Sequence, residues 1–393
     1  MTPAIVVIAY RRAASLTRLL DSLRAADYPD GADVPLVISI DGGPGRDDAV
    51  VRLAEAADWP AGPKEVVAHD RHLGLPDHLV RCGDLSVRLG AVAILEEDLV
   101  VSARWHAYAS AALAAVASDE RVALEALGSP WFIGFSGDPF TPLADGADSF
   151  YGRFPYTAGL VVTAGQWTRL RPVLAGREPV LPHAGLHAAY RRLPADEWLP
   201  RLARDLVAAD RYVLYPRVSL AVQWGDAGTH FGRPTRWFQA PLERRRAAWS
   251  FHGLDAADAV YDGFMELDGL VLRRLSPAVA SATTDVATDL WANRRRSNVT
   301  TPFVVTTRPV RRAVATWGAE ARPLEANVVD GVPGDAIRLA RTDDVDWSRL
   351  GTLRARAALE AWVTRDRPRG LARQVVLRGI GRLERLVSRT ARR

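Results

Sequence analysis

One acidic stretch restricts what this chain can fold into. Within residues 91–100, five apolar residues are followed at once by Glu96, Glu97 and Asp98, and then by two more apolar residues. An apolar run of this length predicts a buried strand. Adjacent carboxylates repel one another, and partial burial increases that cost unless a cation lies among them. A solvated acidic turn is the simpler interpretation, but the apolar chain on both sides favours a site for Mg²⁺ or Mn²⁺, which prefer oxygen ligands.

Length and composition place the chain among ordinary globular proteins. Its 393 residues, 48% apolar and 25% charged, are enough for a large core and more than one domain. Cys82 is the single cysteine, which excludes an intrachain disulfide. The opening apolar run, residues 4–9, is too short for a secretory signal, and no stretch approaches the length of a transmembrane helix. These features predict a cytoplasmic protein.

The positive charge is concentrated at the C-terminal end. Residues 365–393 contain ten arginines against Asp366 and Glu384, so this segment carries a net charge of +8. The rest of the chain then carries about −3 of the total of +5. A mildly acidic body predicts no nucleic-acid partner. The tail, residues 369–393, has an apolar stripe at helical spacing, which predicts either peripheral contact with the inner face of a membrane or a helix docked on the body or on a second subunit.

The first hundred residues alternate between apolar strands and helical patterns. Strands are predicted over residues 4–9, 34–40, 65–69 and 91–95, and helices over residues 16–23, 47–57 and 76–89, the first of them capped by Ser15. Strands that are apolar on both faces predict an α/β fold with a mostly parallel central sheet and helices on both faces. Ligands bind such sheets at the carboxyl ends of the strands, where Arg12, Asp41 and the acidic triplet fall.

The pattern changes beyond about residue 245. A helix is predicted over residues 255–275, short strands over 284–290, 303–306 and 313–315, and a helix over 346–363. We therefore expect a first domain over residues 1–244. A small α+β appendage with a β-rich part (245–345) and C-terminal helices (346–393) would follow.

The polar residues at the strand ends carry a family resemblance. Ile8–Arg12, Ile40–Asp41 and Leu95–Asp98, in this order and spacing, resemble the first half of the GT-A glycosyltransferases, which use nucleotide sugars. The acidic triplet is similar to the Glu-Asp-Asp motif of N-acetylglucosaminyltransferase I. It is also similar to that of bacterial family 2-type transferases of polysaccharide gene clusters, in which Asn-Leu-Gly-Leu precedes the acids; here the segment is His72–Leu75. The resemblance covers residues 3–235 well. It implies that residues 1–244 form a catalytic domain, divided into a nucleotide-sugar half (1–100) and an acceptor half (101–244).

The resemblance implies a set of nucleotide-binding residues. Ala9 and Arg12 would lie beside the nucleotide, with Arg12 near the base or a phosphate. Asp41 would accept hydrogen bonds from the base or ribose. Glu97, where the family usually has aspartate, would lie near the ribose and sugar, and Glu96 belongs to the same set. Turn formation for Asp41 and a surface position for Arg12 are the structural alternatives.

The resemblance also implies the metal ligands and the catalytic base. Asp98 would bind Mn²⁺ or Mg²⁺ directly, and His230, in the Gly-Asp-Ala-Gly-Thr-His segment, would be a second protein ligand. Glu197, in Asp196-Glu197-Trp198, occupies the position of the base, with Asp196 as its neighbour. The alternative is that these acids only favour the dipole of a helix that begins there and extends to about residue 209.

Together these features predict a metal-dependent glycosyltransferase of the hexosyl or N-acetylhexosaminyl type. It would move a sugar from a nucleotide diphosphate sugar to a hydroxyl on a glycan, a lipid-linked glycan or a secondary metabolite, with inversion implied by the resemblance. One alternative is a sugar nucleotidyltransferase, although the expected Gly-rich signature near the start is absent. Another is a non-catalytic protein that binds a nucleotide or a lipid surface. The sequence does not predict an oligomeric state.

Overall fold

The computed structural model describes residues 1–31, 33–156, 158–194, 197–228, 234–236 and 238–355. Its strands are β1 (Ala4–Ala9), β2 (Leu36–Ile40), β3 (Lys64–Ala68), β4 (Ala91–Glu96), β5 (Leu99–Val101), β6 (Val122–Ala126), β7 (Ser149–Gly152), β8 (Leu160–Thr163), β9 (Tyr212–Pro216), β10 (Ala221–Gln223), β11 (Val260–Tyr261), β12 (Val286–Asp289), β13 (Phe303–Thr306), β14 (Ala315–Trp317) and β15 (Ile337–Arg341). Its α-helices are α1 (Ala13–Arg24), α2 (Asp48–Ala56), α3 (Leu75–Leu89), α4 (Trp105–Ala115), α5 (Ala164–Ala175), α6 (Leu199–Ala208), α7 (Gly269–Leu275), α8 (Pro277–Ala282) and α9 (Leu324–Val329). Short 3₁₀ segments lie at Tyr190–Arg192, Arg296–Asn298 and Thr342–Asp344.

A large mixed sheet forms the centre of the described part of the chain. Its nine strands lie in the order β11-β7-β9-β6-β8-β4-β1-β2-β3. Strands β1 to β4 are mutually parallel, β8 runs antiparallel to both β4 and β6, and β7 runs antiparallel to β9. The predicted α/β fold with a mostly parallel central sheet is confirmed, as is a separate small β sheet in the C-terminal part.

Two apolar layers cover the two faces of this sheet. Alternate residues of β1 point to opposite faces, so Ile5 and Val7 join one core cluster while Val6 and Ile8 join the other. Helices α1, α2 and α4 contribute to the first cluster, and α3, α5 and α6 contribute to the second. Burial on both faces explains why these strands are continuously apolar in sequence.

The strand directions bring the predicted polar residues to one edge. Because β1, β2 and β4 are parallel, the residues that follow them, Tyr10, Asp41 and Glu97, lie at the same end of the sheet. After the acidic triplet the chain leaves the sheet as β5, which pairs antiparallel with β10. This pairing brings the segment that begins at Trp224 beside the acidic triplet.

A smaller sheet lies in the C-terminal part of the described chain. Its strand order is β12-β13-β15-β14, and α7 packs against both β12 and α9. The predicted strands at residues 284–290 and 303–306 are present as β12 and β13, and the predicted strand at 313–315 lies two residues later, as β14. The division into domains at residues 244 and 345 stays a prediction.

The predicted helix over residues 255–275 is wrong in its first half. Residues 260–261 form β11, at the edge of the central sheet, and the helix begins only at Gly269. Asp262 accepts hydrogen bonds from the N–H groups of Phe264 and Glu266, and Met265 has φ +60°. These contacts form a tight turn, and Asp268 then caps α7 through the N–H of Leu270.

Other boundaries differ from the predictions by a few residues. The helix expected from Asp196 begins at Leu199. Of the helix expected over residues 346–363, residues 349–355 are helical in the described chain. Residues 356–393, with the predicted basic amphipathic tail, lie outside the described residues. No helix of the described chain is both long enough and apolar enough to span a bilayer.

Candidate active site

The acidic triplet continues from the central strand of the sheet. Glu96 is the last residue of β4, and the N–H of Glu97 donates to the carbonyl oxygen of Ile8 in β1 at 3.0 Å. Glu97 is buried with 4% of its surface exposed, and the side chain of Asp98 is 19% exposed. The sheet therefore holds the carboxylates close together and largely out of water.

Arg12 binds two of these carboxylates at once. It is the residue before α1, and its Nε donates to Glu97 Oε1 at 2.6 Å while its Nη1 donates to Asp98 Oδ2 at 3.0 Å. The N–H of Tyr10 donates to the other oxygen of Glu97, Oε2, at 2.7 Å. Burial lowers the pKa of Arg12, but the charges of Asp98 and Glu97 outweigh it and raise the pKa above its ordinary value. Arg12 is thus a counter-ion for Glu97 and Asp98 within the protein. It is not the unpaired surface arginine of the structural alternative.

One oxygen of this cluster is left without a partner. Asp98 Oδ1 is buried and accepts no hydrogen bond from any residue that the structure describes. A buried, uncompensated carboxylate oxygen is costly, and a hard cation is the natural partner for it. Asp98 therefore fits the predicted metal ligand: one of its oxygens is fixed by Arg12 and the other is bare.

The charge around this oxygen is strongly negative. Burial, followed by the charge of Asp98, raises the pKa of Glu96 to about 8, while Arg12 acts in the opposite direction. Glu97 and Glu197 add smaller contributions that raise it further. Asp98, Glu97 and Glu197 thus all act on Glu96, and the excess of negative charge at this edge attracts a proton or a cation.

The described residues do not complete a metal site by themselves. No group of three or more His, Cys, Asp or Glu side chains is arranged to hold a metal within the described ranges. His230, the second predicted ligand, lies outside them. A cation at Asp98 would therefore need oxygens from elsewhere, and phosphate groups of a ligand are typical donors for Mg²⁺.

Glu197 approaches the same cluster from another part of the chain. It lies two residues before α6, and Arg201 donates from Nη1 to its carbonyl oxygen at 2.8 Å. It is outside the first turn of the helix, which contains no acidic residue, and its charge acts on Glu96. The charge of Glu197 therefore reaches Glu96, whereas Asp196 lies outside the described residues. A role for Glu197 as the base stays a prediction.

Asp41 already has four hydrogen-bonding partners in the protein. Its Oδ1 accepts from the N–H groups of Gly42 and Leu73, and its Oδ2 accepts from the N–H of Gly74 and pairs with His72 Nδ1 at 2.9 Å. Asp41 therefore fixes the loop that leads into α3, in addition to any role with a ligand. A contact between Asp41 and a base or ribose stays a prediction.

Ala9 is the last residue of β1, and its side chain packs in the core with 1% exposure. Its carbonyl oxygen accepts from the N–H of Asp41 at 2.8 Å. Ala9 therefore connects the two strand ends, β1 and β2, that flank the cluster. A contact between Ala9 and a nucleotide stays a prediction.

A set of contacts around Asp226 was not predicted from the sequence. Ser15, expected to cap α1, lies inside that helix with 3% exposure, and its Oγ donates to Asp226 Oδ2 at 2.6 Å. Arg18 also pairs with Asp226, and its guanidinium lies 5.0 Å from the ring centre of Trp224. The Gly-Asp-Ala-Gly motif did single out this loop, but its partners on α1 are about two hundred residues away in sequence.

Comparisons with known proteins give only distant matches. No protein-family model matches the chain, and no curated protein matches it in sequence. Similar solved structures include TarS of S. aureus (13% identity, TM-score 0.33, 55% of this chain and 36% of that one). They also include the mannosyltransferase PcManGT of Pyrobaculum calidifontis in complex with GDP-Man and Mn²⁺ (16%, 0.34, 56% and 58%). A third is GalNAc-T7 with UDP, GalNAc and Mn²⁺ (12%, 0.38, 55% and 43%). The chain spans less than two thirds of the length of each.

Proposed function

We propose that this chain is a metal-dependent GT-A glycosyltransferase that moves a sugar from a nucleotide diphosphate sugar to a hydroxyl group. The observation that carries the proposal is the buried Oδ1 of Asp98, at the carboxyl end of a parallel strand. This oxygen accepts no hydrogen bond from the described residues. Arg12 holds the other oxygen of Asp98, and the surrounding carboxylates favour a cation. This edge of an α/β sheet is where ligands of such folds bind.

Asp98 would hold Mn²⁺ or Mg²⁺, with His230 as a second protein ligand. When bound, the cation supplies Lewis-acid stabilisation of the negative charge on the departing diphosphate. Arg12 fixes the orientation of the Asp98 carboxylate and brings a further positive charge to the site. Both oxygens of Glu97 are engaged, by Arg12 and by the N–H of Tyr10, so Glu97 orients these groups as well as facing the ribose and sugar.

Glu197 would take the proton from the acceptor hydroxyl. Its charge acts on Glu96, which supports a position near the acidic cluster. Asp196 is the alternative base. A base that activates the acceptor opposite the leaving group gives inversion at the anomeric carbon, the outcome that the family resemblance implies.

The acceptor and the donor type follow from the resemblance alone. We infer a hexosyl or N-acetylhexosaminyl donor and a glycan, lipid-linked glycan or secondary-metabolite acceptor, as in polysaccharide biosynthesis. Residues 369–393 would add peripheral contact with anionic lipid at the inner face of the membrane. Co-sedimentation with phosphatidylserine vesicles tests that contact, with a chain that ends at residue 355 as the control.

A thermal-shift panel tests the proposal. Nucleoside diphosphates and nucleotide sugars are added with and without Mn²⁺ to wild type and to Asp98→Asn, because a ligand that binds only the folded state raises its apparent stability. We expect a Mn²⁺-dependent shift with one base, lost in Asp98→Asn. If no nucleotide changes the unfolding temperature, the proposal is contradicted. Turnover of a nucleoside triphosphate with a sugar 1-phosphate would instead identify a nucleotidyltransferase.

A further inference from the structure

The segment after β10 is fastened beside the acidic cluster by its backbone. The N–H of Trp224 donates to the carbonyl oxygen of Asp98 at 2.8 Å, and the N–H of Thr235 donates to the carbonyl oxygen of Gly225 at 2.8 Å. Gly225 has φ +85°, and a Cβ there would lie 1.8 Å from the carbonyl oxygen of Thr235. Position 225 therefore requires glycine. The hydrogen bond between Gly225 and Thr235 lies next to Asp98, because Trp224 is bonded to the Asp98 backbone.

A side-chain contact then fixes this segment to α1. Asp226 Oδ2 accepts from Ser15 Oγ at 2.6 Å and pairs with the guanidinium of Arg18. Ser15 is almost fully buried, so its hydroxyl requires a partner inside the protein. Ser15 and Arg18 are three residues apart on α1 and therefore lie on one face of the helix. The ring of Trp224 covers the guanidinium of Arg18 and limits its movement.

The same segment also passes close to Arg12, the counter-ion of the site. A Cβ at Gly228 would lie 3.3 Å from Arg12 Nη1, so the backbone at residue 228 runs close beside that guanidinium. Arg12 Nη1 is the atom that donates to Asp98 Oδ2. Arg12 directly precedes α1, the helix that holds Asp226. Asp226 thus fixes the distance between the segment and the start of α1.

Stability alone does not explain the Asp226 contacts. The side chains of Asp226 and Arg18 are 30% and 27% exposed, and ion pairs with this much exposure contribute little to stability because solvent screens them. The Asp226 contacts instead hold the segment after β10 at a fixed place on α1. We propose that Asp226 is a positioning residue that holds the Gly225–Gly228 backbone against Arg12, and that it thereby keeps Asp98 Oδ1 presented to a divalent cation and its diphosphate ligand. This inference rests on the proposed cation site at Asp98.

Mn²⁺ binding in the presence of inorganic pyrophosphate tests the inference without knowledge of the donor. Free Mn²⁺ is measured by electron paramagnetic resonance for the full-length wild type, Asp226→Asn and Ser15→Ala. Groups that orient a metal ligand typically contribute about 10- to 100-fold to metal affinity, so we expect Asp226→Asn to weaken Mn²⁺ binding about 10-fold. Ser15→Ala, which removes one hydrogen bond, should weaken it less.

Matched variants separate this role from a general loss of structure. Asp255→Asn removes a surface carboxylate that pairs with Arg121, far along the chain from the site, and should bind Mn²⁺ like wild type. Asp226→Glu keeps the charge and should restore part of the affinity. Wild-type affinity in Asp226→Asn, while Asp98→Asn loses binding, would overturn the positioning role alone. Failure of wild type to bind Mn²⁺ would overturn the proposed cation site itself.

Discussion

Two groups of buried acids in this protein are compensated in different ways. At the edge of the central sheet, Asp98 and Glu97 share one counter-ion, Arg12. Asp98 Oδ1 has no hydrogen-bond partner among the described residues. Beside the small sheet, Asp289 and Asp262 each have their own arginine. The difference separates acids whose charge is paired within the fold from the acid for which we propose an external partner.

The group beside the small sheet is neutralised within the protein. Arg308 Nε donates to Asp289 Oδ2 at 2.5 Å, and the two side chains are 2% and 0% exposed. Arg308 Nη2 also donates to the carbonyl oxygens of Ala292 and Arg294. Arg294 pairs with Asp262 and donates from Nε to the carbonyl oxygen of Thr288. Such a network needs no external ion.

Glu125 shows a third way to compensate a buried acid. It is fully buried in β6, its Oε1 accepts from Gln166 Nε2 at 2.8 Å, and its Oε2 has no partner among the described residues. Burial raises the pKa of Glu125 to about 8, so near neutral pH this carboxyl carries a proton. Buried acids in this chain thus pair with an arginine or keep a proton, and at Asp98 we propose an external cation.

The largest effect on stability is expected from Arg308→Met. The substitution leaves Asp289 as a buried charge without its partner, a change that typically costs about 3–5 kcal/mol. Urea unfolding of wild type and the variant measures the loss. Adding Asp289→Asn removes the uncompensated charge and should recover part of it. A loss below about 1 kcal/mol in Arg308→Met would mean that Asp289 does not depend on Arg308 as its counter-ion. The contrast with the acidic cluster at the sheet edge would then fail.

Asp98→Asn should show the opposite pattern. The substitution removes one of several repelling charges, so the metal-free protein should unfold within about 1 kcal/mol of wild type. Transfer or hydrolysis of the donor should fall about 100-fold or more, because stabilisation of the leaving group is lost. Initial rates with Mn²⁺ and the donor identified by thermal shift measure the fall. Equal activity in the two proteins would remove Asp98 from the site.

Glu125 predicts a pH dependence of known sign. The folded state keeps the proton on Glu125 up to about pH 8, whereas the unfolded chain releases it near its ordinary pKa of 4.5. The free energy of unfolding should therefore fall as pH rises, by up to about 1.4 kcal/mol per pH unit for this group. Between pH 6 and pH 8, wild type should lose about 2 kcal/mol relative to Glu125→Gln. Parallel pH profiles of the two proteins in urea unfolding would show that Glu125 is not protonated in the fold.

The smallest effect is expected from Asp255→Asn. This carboxylate is 84% exposed and pairs with Arg121 on the surface, where solvent screens the ion pair and leaves it little effect on stability. Urea unfolding should therefore not distinguish the variant from wild type, which sets the baseline for the other substitutions. A larger loss would show that exposed ion pairs contribute unusually strongly in this protein, and would weaken the contrast with Arg308.

Local patterns in the sequence predicted the architecture and which polar residues meet at one edge of the central sheet. The two-faced apolar strands required a covered parallel sheet, and the order of the strands put Arg12 and the acidic triplet at one edge. The pattern failed at residues 255–275, where apolar spacing imitated a helix. There the contacts of the Asp262 turn and the pairing of β11 with β7 determine the structure.

Long-range contacts could not be predicted from spacing. Ser15 and Asp226 are 211 residues apart, and nothing local to either residue indicates the other. The sequence placed Asp41 at a strand end. It did not show that residues 72–74 occupy both carboxylate oxygens of Asp41, because those contacts depend on how that loop folds back. Likewise, the sequence located three adjacent acids, whereas the pairing of Arg12 with two of them singled out Asp98 Oδ1 as the bare oxygen.

A crystal structure with Mn²⁺ and the nucleoside diphosphate identified by thermal shift tests the central claim most directly. Anomalous scattering locates the metal without assumptions about its ligands. We predict one Mn²⁺ peak within about 2.5 Å of Asp98 Oδ1, with diphosphate oxygens among its other ligands. A Mn²⁺ peak elsewhere, or a diphosphate bound at this edge with no metal at Asp98, would contradict the account.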